Sequence, residues 1–111
     1  MPPRRATAHA MAYVTAPDLE TARSIARTVV GRRLAACANL WPIESMYHWK
    51  GKLEEANEVV IVFKTRRALL QKLIAAVREN HPYEVPCIVS YPMGPASREY
   101  LDWIDKETSQ R

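Results

Sequence analysis

Two cysteines, three histidines and a scatter of carboxylates are the side chains in this 111-residue chain that could hold a metal or attack a substrate. Their spacing limits what they can do. No C-x-x-C or H-x-x-x-H pair occurs, so a tight structural zinc site is not expected. Met46 and His48 alternate on one side of an extended run, as do His9 and Met11. Such soft side chains can meet a metal at a surface, and more often they fill gaps or face water. Cys37 lies in the apolar run LAACANL and reads as a small buried hydrophobe. To act as a nucleophile it would need a base such as His81 within about 3 Å. It would also need a lowered pKa, which an apolar run does not supply. His81 itself reads as a helix-end residue that places Pro82.

Tyr47, Trp49 and Tyr83 fall near Glu58, Lys64 and Glu84 in the expected layout. One reading is aromatic packing at a subunit interface. The other is a ligand cleft between subunits that holds a small anion or a metal complex. Lys64 would supply its charge and Glu58 or Glu84 its partners. Lys64 closes an otherwise apolar strand, so a carboxylate neighbour is expected for it. Trp103 reads as core or interface.

The elements that must position these groups follow from periodicity. Residues 9–15, HAMAYVT, read as a first strand. A helix follows over 17–32, where Leu19, Ala22, Ile25, Ala26, Val29 and Val30 repeat at three- and four-residue steps. Thr15 and Asp18 have capping-box spacing with Asp in place of Glu. Gly31 weakens the last turn, and Arg32 with Arg33 suits the negative end of the helix dipole. Residues 34–50 and 58–65 read as a long β-hairpin with Gly51 and Lys52 at the reversal. Pro42 splits its first run into 34–40 and 43–50, two stretches of one bent strand. Residues 53–57 are polar and read as irregular. Val59, Ile61 and Phe63 alternate with Val60, Val62 and Lys64, which is the period of a pleated strand. A second helix capped by Thr65 carries Leu69, Leu70, Leu73, Ile74 and Val77, and Asn80 with Pro82 ends it. A strand at 85–91 and a third helix capped by Ser97 complete the chain, with Tyr100, Leu101 and Ile104 on the inner face.

The order β-α-β-β-α-β plus a terminal helix predicts an α+β fold, a ferredoxin-like sandwich with strands in spatial order 4-1-3-2. A single domain over 8–108 with a disordered tail at 1–7 is expected. This topology puts Cys37 on one edge and Cys87 on the other, roughly 14 Å apart by strand spacing, so no disulfide within the chain is expected. The first hairpin strand is long, apolar and on an edge, which invites pairing with another chain. The edges at 34–40 and 85–91 are expected to pair between subunits and close a ring.

Composition removes some classes. The formal net charge is +4 from 16 basic and 12 acidic residues, but the arginines come in scattered pairs rather than one basic face, so no nucleic-acid partner is expected. RNA-recognition domains share this topology and carry aromatics on a central strand, whereas EVVIVFKT offers only Phe63. No apolar run reaches the roughly 18 residues of a membrane span. Residues 1–10 hold arginines with no apolar segment after them, so a cytoplasmic protein with reduced cysteines is expected.

Several stretches resemble one family. Ala35-Ala36-Cys37-Ala38-Asn39-Leu40, Tyr47-x-Trp49-x-Gly51-Lys52-x-Glu54, Glu58, Lys64-Thr65, His81-Pro82-Tyr83-Glu84 and Tyr100-Leu101-x-Trp103-Ile104 occur in that order. With Thr15-Ala-Pro-Asp18 they resemble the CutA family of divalent-cation tolerance proteins, from about Ala12 to Ile104. The resemblance implies a non-enzymatic cytoplasmic homotrimer with copper or another divalent cation as a non-essential ligand. It also implies an architecture similar to the nitrogen-regulatory PII signalling proteins, which suggests small-molecule sensing as a second role. The family positions linked to copper fall on Cys37 and His81, and Glu84 lies beside the latter. Where some members carry a further cysteine, this chain has Val14, so one soft ligand is missing.

Overall fold

The computed structural model describes residues 8–109. The tail expected at 1–7 lies outside the described residues. The elements are β1 (His9–Ala16), α1 (Leu19–Gly31), β2 (Cys37–Trp49), β3 (Lys52–Arg66), α2 (Leu70–Glu79), β4 (Ile88–Pro92) and α3 (Arg98–Glu107). The four strands make one antiparallel sheet in the order β2-β3-β1-β4. This is the 4-1-3-2 order that the alternation of elements implies.

The pleat of β3 divides the protein. Val59, Ile61 and Phe63 point to one face, where they meet Ala22, Ile25 and Val29 of α1 and Leu73, Ala76 and Val77 of α2. Their partners on β1 are Ala16, Val14 and Ala12. Two of the three partners are alanines, which lets the helices lie close to the sheet. The opposite face carries Met11 of β1, and α3 covers that end with Tyr100, Leu101 and Ile104. Polar clamps fix α3 as well. Arg66 Nε donates to Thr108 Oγ1 at 2.8 Å, and Arg33 Nη1 donates to the Glu107 carbonyl at 3.0 Å. His9 Nε2 lies 2.8 Å from Asp105 Oδ1.

Several local expectations need correction. Helix α1 begins at Leu19, not Pro17, because Asp18 is the cap: its Oδ1 accepts the Thr21 N–H at 2.7 Å. That bond holds the Asp18 carboxyl below its usual pKa. The helix ends in a Schellman motif. Leu34 N–H reaches the Val29 carbonyl at 3.0 Å, and Arg33 N–H reaches Val30 at 2.9 Å. Arg33 itself takes the left-handed position at φ 61°. Thr65 does not cap α2. β3 runs on to Arg66, the buried Thr65 hydroxyl donates to the Leu34 carbonyl at 2.6 Å, and a 3-10 turn at Arg67–Leu69 leads into the helix. The last strand starts at Ile88 rather than 85, since Pro82 and Pro86 withdraw two ladder donors from the segment before it.

The hairpin differs most. Residues 53–57 are strand, paired in register with Met46 to His48 and their neighbours. β2 is continuous through Pro42, which sits opposite Val59 on an edge strand, where one side needs no ladder donor. The reversal is a two-residue turn at Lys50 and Gly51, with φ 51° and 82°. Positive φ at both positions matches the right-handed twist of the flanking strands. β1 pairs no further than Val59, so from Glu58 to the turn β2 and β3 form a two-stranded arm with no third strand.

Phe63 is fully buried, so Phe63→Ala is expected to cost about 3–5 kcal/mol, read as a lower urea midpoint. A loss under about 1 kcal/mol would show that the helix–sheet layer is not the main core.

Candidate functional site

The base of the arm, the segment 82–87 and the end of the sheet away from α3 enclose a groove of about 910 Å³. Its wall includes Tyr13, Tyr47, Trp49, Glu58, Tyr83 and Cys87. The sequence supplies this through alternation. Tyr13, Thr15, Ile43 and Tyr47 share the pleat side of Glu58 by register, the side that α1 and α2 leave bare. The segment 82–87 is then held over that side by two anchors. Tyr83 Oη donates to Glu58 Oε2 at 2.8 Å. His81 Nε2 donates to the Thr15 carbonyl at 2.7 Å, and His81 Nδ1 accepts the Tyr83 N–H at 3.2 Å. A carbonyl can only accept and an amide can only donate, so the ring is the neutral Nε2–H tautomer. The His81 and Tyr83 rings also pack 4.8 Å apart.

Of the expected cleft residues, the structure brings Tyr47, Trp49, Glu58 and Tyr83 together, with Glu84 on the same wall. Lys64 is elsewhere. It stands six positions along β3 from Glu58, about 20 Å by strand rise. Its ammonium donates to the Asn39 carboxamide, so the expected carboxylate neighbour is instead a neutral acceptor. Asn39 was legible as a candidate only through register: it faces Val62, one diagonal step from Lys64. The Thr15 carbonyl, a backbone atom, carries no signal in residue type.

Cys37 pairs with Lys64, whereas His81 is tied to Thr15 beside Val60. Four residues along and two strands across separate them by about 16 Å within one chain. A Cys37–His81 nucleophile and base are therefore not assembled in a protomer. Cys37 Sγ lies 3.5 Å from Tyr100 Oη instead. Both cysteines are free. The residues of one chain do not fit a resident metal. Among the described residues no three His, Cys, Asp or Glu side chains converge. Both His81 nitrogens are also occupied.

Burial raises the pKa of Tyr83, and its hydrogen bond to Glu58 adds to the effect. Burial likewise raises Tyr100, up to about 12, with the Cys37 contact contributing. Trp103 stacks on Tyr100 with centroids 5.7 Å apart.

These features define a small α+β protein with two helices on one sheet face, a third helix on part of the other, and an aromatic groove beside a projecting arm. The chain belongs to a family of that build: the model of the CutA1 divalent ion tolerance protein family matches residues 10–107. It is 41% identical over 98 residues to the divalent-cation tolerance protein CutA of Archaeoglobus fulgidus, covering 88% of this chain and 96% of that one. The solved structure named as the periplasmic divalent cation tolerance protein CutA of that organism is 40% identical and superposes with a TM-score of 0.89, covering 91% of this chain and 99% of that chain. The human protein CutA is 46% identical over 98 residues, covering 87% of this chain and 55% of its own length. The chain thus spans about half of that relative.

Raised pKa values at Tyr83 and Tyr100, with burial also raising Tyr13, make alkaline stability a readout. A raised folded pKa means the contribution is full below the ordinary tyrosine value of about 10 and is lost as pH rises toward the folded values. In an absorbance titration, Tyr83 and Tyr100 are expected to ionise above the ordinary tyrosine value. Tyr83→Phe should remove part of the late component. A single sharp step at ordinary tyrosine pH would contradict the described burial.

Proposed function

We propose that this chain works as a ferredoxin-like homotrimer in divalent-cation tolerance, copper above all, without catalysing a reaction. Family membership supports the cation role. The observation that carries assembly is the uncovered sheet face and arm. Trp41, Tyr47, Trp49, Val89 and Tyr91 are all exposed. By register all five share one side of the sheet. Soluble chains seldom leave that much aromatic and aliphatic surface to water. β2 and β4 are the two edges, so a neighbour's β4 laid along β2 would close a ring and cover both.

In this reading the cation is a visitor and not a structural cofactor. Cys37 is its soft ligand, and His81 with Glu84 is approached from a neighbouring subunit. A cation takes His81 Nδ1 only by displacing the Tyr83 amide, which argues for weak, reversible binding. The aromatic groove supports a second reading, a PII-like trimer that senses a small molecule at the seam between subunits.

Native mass spectrometry tests assembly and metal together. A trimer is expected at micromolar concentration, unchanged by dialysis against EDTA. Added copper should bind in steps that Cys37→Ser reduces. A monomer, or a trimer that chelation dissolves, would defeat this reading. Trp41→Arg, placed on the exposed face, is expected to shift the distribution to monomer without loss of helix by circular dichroism.

A further inference from the structure

Glu58 is the anomaly in the groove. It is 6% exposed, and carboxylates are rarely so buried without a cationic partner. Among the described residues the salt bridges are Arg32–Glu79 and Arg33–Glu107, His9 contacts Asp105, and none of these involves Glu58. Its one side-chain hydrogen bond there comes from the uncharged Tyr83 hydroxyl. One donor leaves most of a carboxylate's acceptor capacity unused. The wall of the groove includes no lysine or arginine, and its one basic side chain is His48. Glu84 adds a second negative charge on the same wall. A chain with net charge +4 has here built an acidic pocket.

The other lining groups agree with that sign. Tyr13, Tyr47, Trp49 and Tyr83 present aromatic surface to the same space. Ring faces carry negative potential and attract ammonium groups. Trp49 already attracts one, since Lys50 Nζ stands 5.6 Å from its centroid at the tip of the arm. A volume of about 910 Å³ admits a small organic molecule. An inorganic divalent ion would want several convergent oxygen, nitrogen or sulfur ligands, and no three such side chains of His, Cys, Asp or Glu meet among the described residues. Within one chain Lys64, the cation that would favour an anionic ligand, lies about 20 Å from Glu58.

We infer that the groove binds a small organic ammonium ion, whose charge pairs with Glu58 and Glu84 and whose carbon skeleton lies against Tyr47, Trp49 and Tyr83. This deepens the ligand-sensing reading above and rests on it. The ligand class is the reverse of the anion that a Lys64-centred cleft would select. Pairing with Glu58 offsets the desolvation of its carboxylate and leaves the Tyr83 bond intact.

The test is calorimetry on the full chain, with choline chloride and putrescine dihydrochloride as probes and disodium malonate as the anionic control, all at one ionic strength. Saturable binding of either ammonium, with none of malonate, is expected. Glu84→Gln should weaken it about tenfold, and Glu58→Gln should weaken it further. Glu84 is exposed, so its variant decides the matter if Glu58→Gln fails to fold. Saturable binding of malonate, no saturable ammonium binding, or binding that neither variant weakens would overturn the inference. Native mass spectra of the same samples separate the two failures. A trimer that ignores ammonium ions removes this inference alone, and a monomer removes the assembly reading too.

Discussion

The alternation of β3 is the constraint on which the rest of the molecule depends. One side of that strand is Val59, Ile61 and Phe63, and the other is Glu58, Val60, Val62 and Lys64. A slip of one residue would exchange the two sets. It would turn Glu58 and Lys64 toward α1 and α2, away from Tyr83 and Asn39, and present Phe63 to α3. The register with β1 and β2 is therefore fixed by the cost of separating these charged groups from their polar partners as well as by hydrophobic contact. Both helices, the groove and the arm take their places from that choice.

A division of labour along the sheet follows. The Phe63 end is closed on both faces, by α1 and α2 on one side and α3 on the other. The Glu58 end is closed on one face only. There the irregular segment 82–87 substitutes for a helix, held by Tyr83 on Glu58 and by His81 on Thr15. Stability and recognition are thus concentrated at opposite ends of the same four strands. Metal-ligating residue types are divided the same way, Cys37 at the closed end and His81 and Glu84 at the open one. That separation keeps Cys37 apart from His81 and Glu84 within one chain.

Much of this was legible in the sequence. Short apolar runs with period-two and period-3.6 patterns located the strands and helices apart from residues 53–57, and Ser97 was readable as a cap because it precedes an amphipathic run. What failed was what side-chain polarity cannot report. Residues 53–57 look like a loop because both of their faces meet solvent, yet the two-residue turn forces them into the ladder. Thr65 looks like a cap because its hydroxyl bonds a carbonyl as easily as an amide, and here the carbonyl of Leu34 took it. In the groove, Tyr47, Trp49, Glu58 and Tyr83 could be grouped from composition and expected topology. Lys64 could not be excluded without the register, because six positions along a strand is a long distance that a linear sequence does not display.

The Lys50–Gly51 turn also bears on the order in which the chain can fold. Its ends are two residues apart, so closing it costs less entropy than any other strand contact in the molecule. Hairpins of this kind form in about 1–10 microseconds. The β1–β4 ladder joins residues near the two ends of the chain and must await a larger search. The portion of the sheet that ends up least supported by its own protomer is the portion with the shortest route to existence.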